Sequence, residues 1–415
     1  MDENKIGPSF NEAFKFWLKL GFISFGGPAG QIAVMQKELV ENRQWIDNDD
    51  FLHALNYCML LPGPEAQQLA TYCGWKLHGI KGGIVAGAFF VIPSIFFLLL
   101  LSYIYANFGS VPQIDAVLDG FKAVVVAIVV EAVIKIGKKA FKSKSHLVMA
   151  ALAFVAIYFF HIPFPLIVLG AFVIGFVYSR FQVSNSNLEE SKINSYKAKN
   201  NLLKIITVCF ALWLIPFIIL VLIYGYENLT VKTYLFFTQS AFVTFGGAYT
   251  VLAYVNQAVV ANGWVTSAQT VDGLALAETT PGPLIMVLQF IGFMAGWNAS
   301  NSPPFAILCA LLTTYVTFLP SFLFIFAGAN YIEKLRNNQT LNSSLSFVTA
   351  SVVGVILNLA LMFGATVVYH NSNFDWFALI LAAISFISLY FLKADVLLVV
   401  IVGGLCGLAK YFLIG

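Results

Sequence analysis

The stretch LLPGPEAQQL, residues 60–69, places two prolines and a glycine inside an otherwise apolar part of the chain. A related stretch, TTPGPLIMVL, occupies residues 279–288. Proline lacks the amide hydrogen that a helix interior needs, and glycine permits tight turns, so each PGP triplet is expected to break a helix. The sequence therefore predicts two pairs of half-helices that meet at the triplets: 49–62 with 64–79, and 266–280 with 283–297.

The two halves of the chain carry the same motifs in the same order: FGG, a tryptophan, PGP and a proline–serine pair. The paired segments are FISFGGPAG (22–30) and FVTFGGAYT (242–250), Trp45 and Trp264, and VIPSIFFLLL (91–100) and FLPSFLFIFA (318–327). Chance similarity between apolar runs would not place four motifs in the same order in both halves. The chain is therefore predicted to contain an internal structural repeat.

The composition indicates a membrane protein. Hydrophobic residues make up 59% of the 415 residues and charged residues 10%, against roughly 45–50% and about 25% in soluble proteins. So few charges cannot cover so much apolar surface in water, and the same values exclude disordered and collagen-like chains. The net charge of +3 is too small to suggest nucleic-acid binding. The apolar runs are continuous rather than alternating, so we expect an all-α polytopic membrane protein and not a barrel.

The sequence has no pattern typical of a metal, cofactor or catalytic site. Its five cysteines are scattered singly, without a CxxC motif or a nearby histidine cluster. The first residues, MDENKIGPSFNEAFK, mix acidic and basic side chains and do not resemble a cleaved signal peptide. We expect no cofactor and no enzymatic activity, and we expect the inner membrane of a bacterium as the location.

The apolar runs and the lysines predict how the helices cross the bilayer. The expected spans are 82–114, 116–137, 145–179, 205–226, 303–332, 340–374, 375–393 and 396–409. Pro163 and Pro165 are expected to divide 145–179 into two helices. The basic loop KIGKKAFKSKS (135–145) predicts a cytoplasmic face, which the linker 181–201 shares, whereas HNSNF (370–374) has no positive charge and is expected outside.

Equivalent loops of the two halves differ in charge, which predicts that the halves are inverted relative to each other. The loop after 116–137 is strongly basic, and its counterpart after 340–369 is uncharged. The expected organisation is a first repeat at 1–180, a linker plus a connecting helix at 181–228, and a second, inverted repeat at 229–415. Inverted repeats around broken helices are typical of secondary transporters that work by alternating access.

The FGG and PGP breaks predict an anion site between the halves. A helix that starts at a break points unpaired amides and the positive end of its dipole toward it, which suits a tetrahedral oxyanion. Gln31, Gln67, Gln68, Thr279 and Thr280 have side chains that donate either to such an anion or to the broken backbone, and the sequence leaves both roles open. The alternative for PGP is a tight corner at the membrane surface.

Three charged residues are candidates for coupling or gating. Glu65 follows the first PGP and Glu278 precedes the second, and carboxylates inside a membrane are typical of proton coupling. An ionised carboxylate repels an anion, so neither is predicted as a direct ligand. For Glu65 the alternative is a favourable charge at a helix start. Lys122 is expected either to extend to the outer interface or to attract an anionic substrate.

Several long motifs resemble the chromate ion transporter (CHR) family in its long-chain, two-domain form. FGGPAGQIAVMQKELVENRQWI and LPGPEAQQLATYCGWKLHGIKGG resemble its first half; TFGGAYTVLAYV, DGLALAETTPGPLIMVLQFIGFMAG and TFLPSFLFIFAGANYIEKLRNN resemble its second. The resemblance covers 10–140 and 236–369. One departure is Ser94, where glycine is expected. The candidate substrate site comprises Gly26, Gly27, Pro28, Gln31, Pro62, Gly63, Pro64, Gln67, Gly246, Gly247, Thr279, Thr280, Pro281, Gly282 and Pro283.

The resemblance implies export of chromate, with sulfate as a similar competitor. Together with the repeat it predicts a secondary active transporter of a divalent oxyanion, with a proton as the coupling ion and a homodimer as the candidate assembly. Sulfate or other anion transport, anion exchange, and a passive anion channel are the alternatives that the sequence leaves open. A membrane enzyme is disfavoured because no clustered nucleophile or metal set is visible.

Overall fold

A computed structural model describes residues 7–25, 27–182, 202–328, 339–370 and 373–414, and most of them are helical, as the sequence predicts. The helices are α1 (Phe10–Ile23), α2 (Gly27–Gln36), α3 (Asn48–Cys58), α4 (Glu65–Phe89), α5 (Ile92–Phe108), α6 (Pro112–Ala140), α7 (Lys144–Tyr158), α8 (Phe164–Gln182), α9 (Leu202–Tyr224), α10 (Leu229–Val243), α11 (Ala248–Ala261), α12 (Ser267–Glu278), α13 (Val287–Ser300), α14 (Pro303–Gly328), α15 (Gln339–Val368), α16 (Trp376–Tyr390) and α17 (Val396–Ile414). A π-helical segment (Lys37–Asn42) follows α2, and a 3-10 turn (Leu284–Met286) precedes α13. Two short strands, β1 (Tyr369–His370) and β2 (Asn373–Phe374), pair antiparallel.

Local sequence signals set many helix starts. The Ser9 hydroxyl accepts the Glu12 amide hydrogen at 3.2 Å and caps α1, and Asp375 caps α16 in the same way. Thr266 and Gln269 form a reciprocal capping box at the start of α12. These side chains satisfy amides that have no partner within the first helical turn.

Helix α4 is a hairpin rather than one continuous rod. His78 and Gly79 leave the helical conformation, and Gly79 has a φ of 61°, which suits glycine. Beyond this turn the chain runs back along itself, so that Gly74 on the first arm lies against Gly82 on the second. The first arm, residues 65–77, is therefore a short helix that starts at the PGP triplet, as the sequence predicts.

Glycine at position 74 is expected to be required by the contact between the two arms. A Cβ on Gly74 would lie 2.5 Å from the Cβ of Ala86, so Gly74→Ala is expected to destabilise the protein by about 1–3 kcal/mol. Gly170 on α8 has no heavy atom within 4 Å of an added Cβ, so Gly170→Ala is the matched control and should stabilise by about 0.5–1 kcal/mol. Unfolding of both variants in detergent measures the difference, and equal stabilities would contradict the hairpin.

Five helical stretches among the described residues are long and apolar enough to cross a bilayer: Glu65–Phe108, Leu202–Tyr224, Pro303–Gly328, Thr340–Val368 and Val396–Leu413. The first of them contains the α4 hairpin, so its crossing part is the second arm of α4 together with α5. The expected division of 145–179 is confirmed, because α7 ends at Tyr158 and α8 begins at Phe164.

Apolar helices of the two halves pack against each other. α6 packs against α15, α16 and α17, and α15 also packs against α7 and α8. A second cluster joins α1–α4 to Ile325 and Phe326 at the end of α14. Helices of one half are thus covered by helices of the other. The domain limits at 180 and 228 stay predictions, and residues 183–201 of the linker lie outside the described residues.

Candidate functional site

Both copies of FGG and both copies of PGP lie where helices are interrupted. The first FGG lies between α1 and α2, the second between α10 and α11, the first PGP between α3 and α4, and the second between α12 and the 3-10 turn. Gly26 lies outside the described residues. The remaining motif glycines have positive φ angles that favour glycine: Gly27, Gly63, Gly246, Gly247 and Gly282.

Each PGP triplet is hydrogen-bonded to the FGG segment of the opposite half. The Gly63 amide donates to the Thr244 carbonyl at 2.9 Å, and the Gly282 amide donates to the Ser24 carbonyl at 2.7 Å. Thr244 and Ser24 occupy the same place in their motifs, just before FGG. The two bonds are therefore reciprocal, and each joins one half of the chain to the other.

The serines of the proline–serine motifs follow the same exchange. The Ser94 hydroxyl donates to the Pro281 carbonyl, while a Cβ on Gly63 would lie 3.0 Å from the Ser321 Oγ. The second PGP is therefore held by the FGG and the serine of the first half. The first PGP contacts the equivalent groups of the second half.

Two glutamines of the first half donate hydrogen bonds to backbone carbonyls of the PGP triplets. The Gln31 amide donates to the Gly282 carbonyl at 2.5 Å, and the Gln68 amide donates to the Pro62 carbonyl at 2.7 Å. At the equivalent motif positions the second half has Val251 and Val287. The polar lining is thus asymmetric, which the motif repeat alone does not predict.

Gln67, Thr279 and Thr280 are also engaged within the protein. Gln67 donates to the Thr71 hydroxyl at 3.1 Å. The hydroxyls of Thr279 and Thr280 donate to carbonyls in the last turn of α12, at 2.7 and 2.9 Å. Of the two roles left open for these side chains, this conformation shows the structural one. An oxyanion would have to exchange with these partners.

The central glycine amides of the PGP triplets have acceptors, so they are not the unpaired amides that the sequence predicts at each break. Both already donate to carbonyls across the repeat. Unpaired amides belong instead to the first turn of α4, at Glu65, Ala66 and Gln67, where helix geometry provides no acceptor. The cap residue, Pro64, has no side chain that accepts a hydrogen bond. The corner at the second PGP leads into an apolar 3-10 turn.

The two predicted carboxylates have different surroundings. Glu65 is partly buried in the first turn of α4, directly after the first PGP. Glu278 is buried and accepts the Tyr249 hydroxyl at 2.9 Å. Tyr249 lies two residues after the second FGG, and Glu278 lies just before the second PGP. This bond therefore connects the FGG and PGP segments within the second half.

A second buried carboxylate, Glu131, lies on α6, which packs against α12, the helix that ends at Glu278. Lys135 pairs with Glu131 at 2.7 Å. The sequence gives no signal for the proximity of these carboxylates, because α6 and α12 are far apart along the chain. Carboxylates that share one buried region are typical of sites that bind protons or cations.

Lys122 is paired inside the protein rather than extended alone to the interface. Its ammonium lies 3.0 Å from Asp119 and 3.7 Å from Asp272. Asp272, which is 2% exposed, also accepts the Tyr105 hydroxyl at 2.8 Å. Sequence reasoning missed Asp272 and Tyr105. The available signal was a single aspartate just before the apolar run LALAE.

Gln31 is expected to be required for the contact between the halves. In Gln31→Val, which copies the second half, the Gly282 carbonyl loses its side-chain donor, and an unpaired buried polar group costs about 1–3 kcal/mol. Unfolding in detergent should reveal this loss. Gln36 bonds to Asn48 in an exposed position, so Gln36→Val is the control and should be near neutral. Equal effects would show that Gln31 does not join the halves.

Broken apolar helices that contact each other across two related halves, together with buried carboxylates, are typical of polytopic membrane transport proteins. The profile of the family described as Chromate transporter matches both halves, over residues 11–176 and 231–408. The chain belongs to this family, and it is a membrane transporter and not an enzyme.

Relatives extend over nearly the whole chain. A chromate transport protein of Pseudomonas aeruginosa is 30% identical over 96% of this chain and 92% of its own length. A chromate transport protein of Cupriavidus metallidurans is 27% identical over 82% and 79%, and an uncharacterized transporter of Methanocaldococcus jannaschii is 26% identical over 98% and 95%. No solved structure matches this chain.

Proposed function

We propose that the chain is a secondary active transporter that exports a divalent tetrahedral oxyanion, most directly chromate, from the cytoplasm of a bacterial cell. Family membership and two relatives named as chromate transport proteins support this substrate. An inside-negative membrane potential favours outward movement of a dianion by about 2.3 kcal/mol per charge per 100 mV. Sulfate is chemically similar and is treated as a competing outcome of the test.

The reciprocal Gly63–Thr244 and Gly282–Ser24 bonds carry the proposal. We place the oxyanion at the first turn of α4, where the amides of Glu65, Ala66 and Gln67 and the positive end of the helix dipole favour an anion. Lys138 and Lys139 lie in the last turn of α6, and this basic end would attract an anion from the cytoplasmic side.

The two halves, 1–180 and 229–415, act in this proposal as inverted repeats. In one state the first PGP keeps its bond to the second FGG segment. In the other state the second PGP keeps its bond to the first FGG segment. Exchange between the two would expose one site to each side of the membrane in turn. Glu65 and Glu278 would couple this exchange to protons, because a neutral carboxyl no longer repels the oxyanion.

Chromate flux into proteoliposomes tests the function. The expected result is a rate that saturates with chromate concentration, changes with an imposed pH gradient, and shows counterflow of labelled sulfate only if sulfate is also a substrate. If the rate rises linearly with chromate concentration, and the protein passes current without coupling to a second gradient, it is a channel instead. Flux of sulfate without flux of chromate would overturn the assignment of chromate as the substrate.

A further inference from the structure

Three helices from both halves meet at a polar cluster that the FGG and PGP motifs do not include. Tyr105 lies near the end of α5, Lys122 on α6, and Asp272 on α12. The Tyr105 hydroxyl donates to one carboxylate oxygen of Asp272 at 2.8 Å, and the Lys122 ammonium lies 3.7 Å from the other oxygen. We call these three residues the Lys122 cluster.

The cluster has the chemistry of an occupied anion site. A positive ammonium and a hydroxyl donor approach two oxygens of one anionic group, as they would approach neighbouring oxygens of a tetrahedral oxyanion. Asp272 fills this place incompletely. Its Oδ1 has no hydrogen-bond partner among the described residues, and its contact with Lys122 is longer than a hydrogen bond.

Position on α6 separates the cluster from the basic end of the molecule. Lys122 lies in the first half of α6, whereas Lys135, Lys138 and Lys139 lie near its other end. Lys122 keeps 18% of its side chain exposed, so this side chain is not fully enclosed by the protein. Asp272 lies on the helix that leads into the second PGP, so a movement of that corner would carry the carboxylate with it.

We propose that Lys122 and Tyr105 form a second oxyanion station, which Asp272 occupies as an intramolecular substitute when no substrate anion is bound. The transported oxyanion displaces Asp272 on its way through the protein, and Asp272 retakes the station when the anion leaves. The inference rests on the proposed function in one respect: the anion that competes with Asp272 is the transported one.

Variants of the purified full-length protein separate competition from a structural ion pair, with the half-saturating concentration of chromate as the readout. Asp272→Asn removes the competing charge and should lower this concentration about tenfold, whereas Lys122→Gln removes the attracting charge and should raise it about tenfold. In the double variant the gain from Asp272→Asn should vanish, since nothing is left to compete for. Glu227→Gln is the matched control: it removes an exposed carboxylate that pairs with Lys232 at 2.8 Å outside the cluster, so the half-saturating concentration should stay within about twofold.

The outcomes distinguish the two proposals. Opposite signs for the single variants, with loss of the gain in the double variant, support the station. Weaker binding in both single variants would show a structural ion pair and overturn it. If the wild type binds sulfate but not chromate, and the signs remain opposite, the substrate assignment fails while the station stands; binding of neither anion overturns both. If Asp272→Asn does not yield monodisperse protein, Lys122→Arg must keep the affinity that Lys122→Gln loses, and equal losses would refute the station.

Discussion

Gly282→Ala is expected to reduce chromate flux strongly and to lower the unfolding temperature. Gly282 has a φ of 97°, where a Cβ costs roughly 1–2 kcal/mol. The added Cβ would also collide with the Ser94 hydroxyl and lie 3.2 Å from the Phe90 carbonyl. The corner must then move, and the bond from the Gly282 amide to Ser24 is lost. We expect flux to fall by more than about tenfold, equivalent to about 1.4 kcal/mol.

Two further variants isolate the cause. Gly247 has a φ of 91° but no heavy atom within 4 Å of an added Cβ, so Gly247→Ala has only the backbone cost. Adding Ser94→Gly to Gly282→Ala removes the colliding hydroxyl and should restore part of the flux. If Gly247→Ala and Gly282→Ala reduce flux equally, the contact across the halves is not what matters at this corner.

Glu278→Gln is expected to remove the response of flux to a pH gradient while leaving flux without a gradient measurable. Glutamine still accepts the Tyr249 hydroxyl but cannot ionise, so the helix contact persists and the proton site is lost. We expect the ratio of rates with and without the gradient to fall to about one. The measurement is the initial rate of chromate uptake by proteoliposomes at matched internal and external pH and across an imposed difference.

Glu227→Gln is the control for this experiment. Glu227 is an exposed carboxylate that pairs with Lys232 at 2.8 Å outside the motifs, so its loss should not alter the pH response. Glu65→Gln tests the second candidate in the same assay. If neither Glu65→Gln nor Glu278→Gln changes the pH response, the coupling role of these carboxylates is wrong.

Local chemistry made the helix breaks predictable from the sequence. Proline and glycine act on their own backbone, so the half-helices at PGP and the division at Pro163 follow without knowledge of the partners. The first arm of α4 ends at Leu77, two residues before the predicted limit, because the reversal at His78–Gly79 depends on one glycine conformation. Such boundaries carry little signal in a single sequence.

Contacts across the halves were not predictable in the same way. The repeat indicated that FGG and PGP belong together, but not that each PGP bonds to the FGG of the other half. Gln31 meets Gly282 across 251 positions, and no local pattern specifies that pair. Asp272 and Tyr105 were missed because a buried aspartate in an apolar run is recognisable as a site only once its partners are known.

The location of bound chromate tests the central claim most directly. In crystals grown with chromate, the anomalous signal of chromium identifies the ion without interpretation of its shape. We expect a peak within about 4 Å of the amide nitrogens of Glu65, Ala66 and Gln67, the range that hydrogen bonds from these amides allow. A peak confined to the basic segment 135–145, or none at a chromate concentration that saturates flux, would contradict an oxyanion site at the first turn of α4.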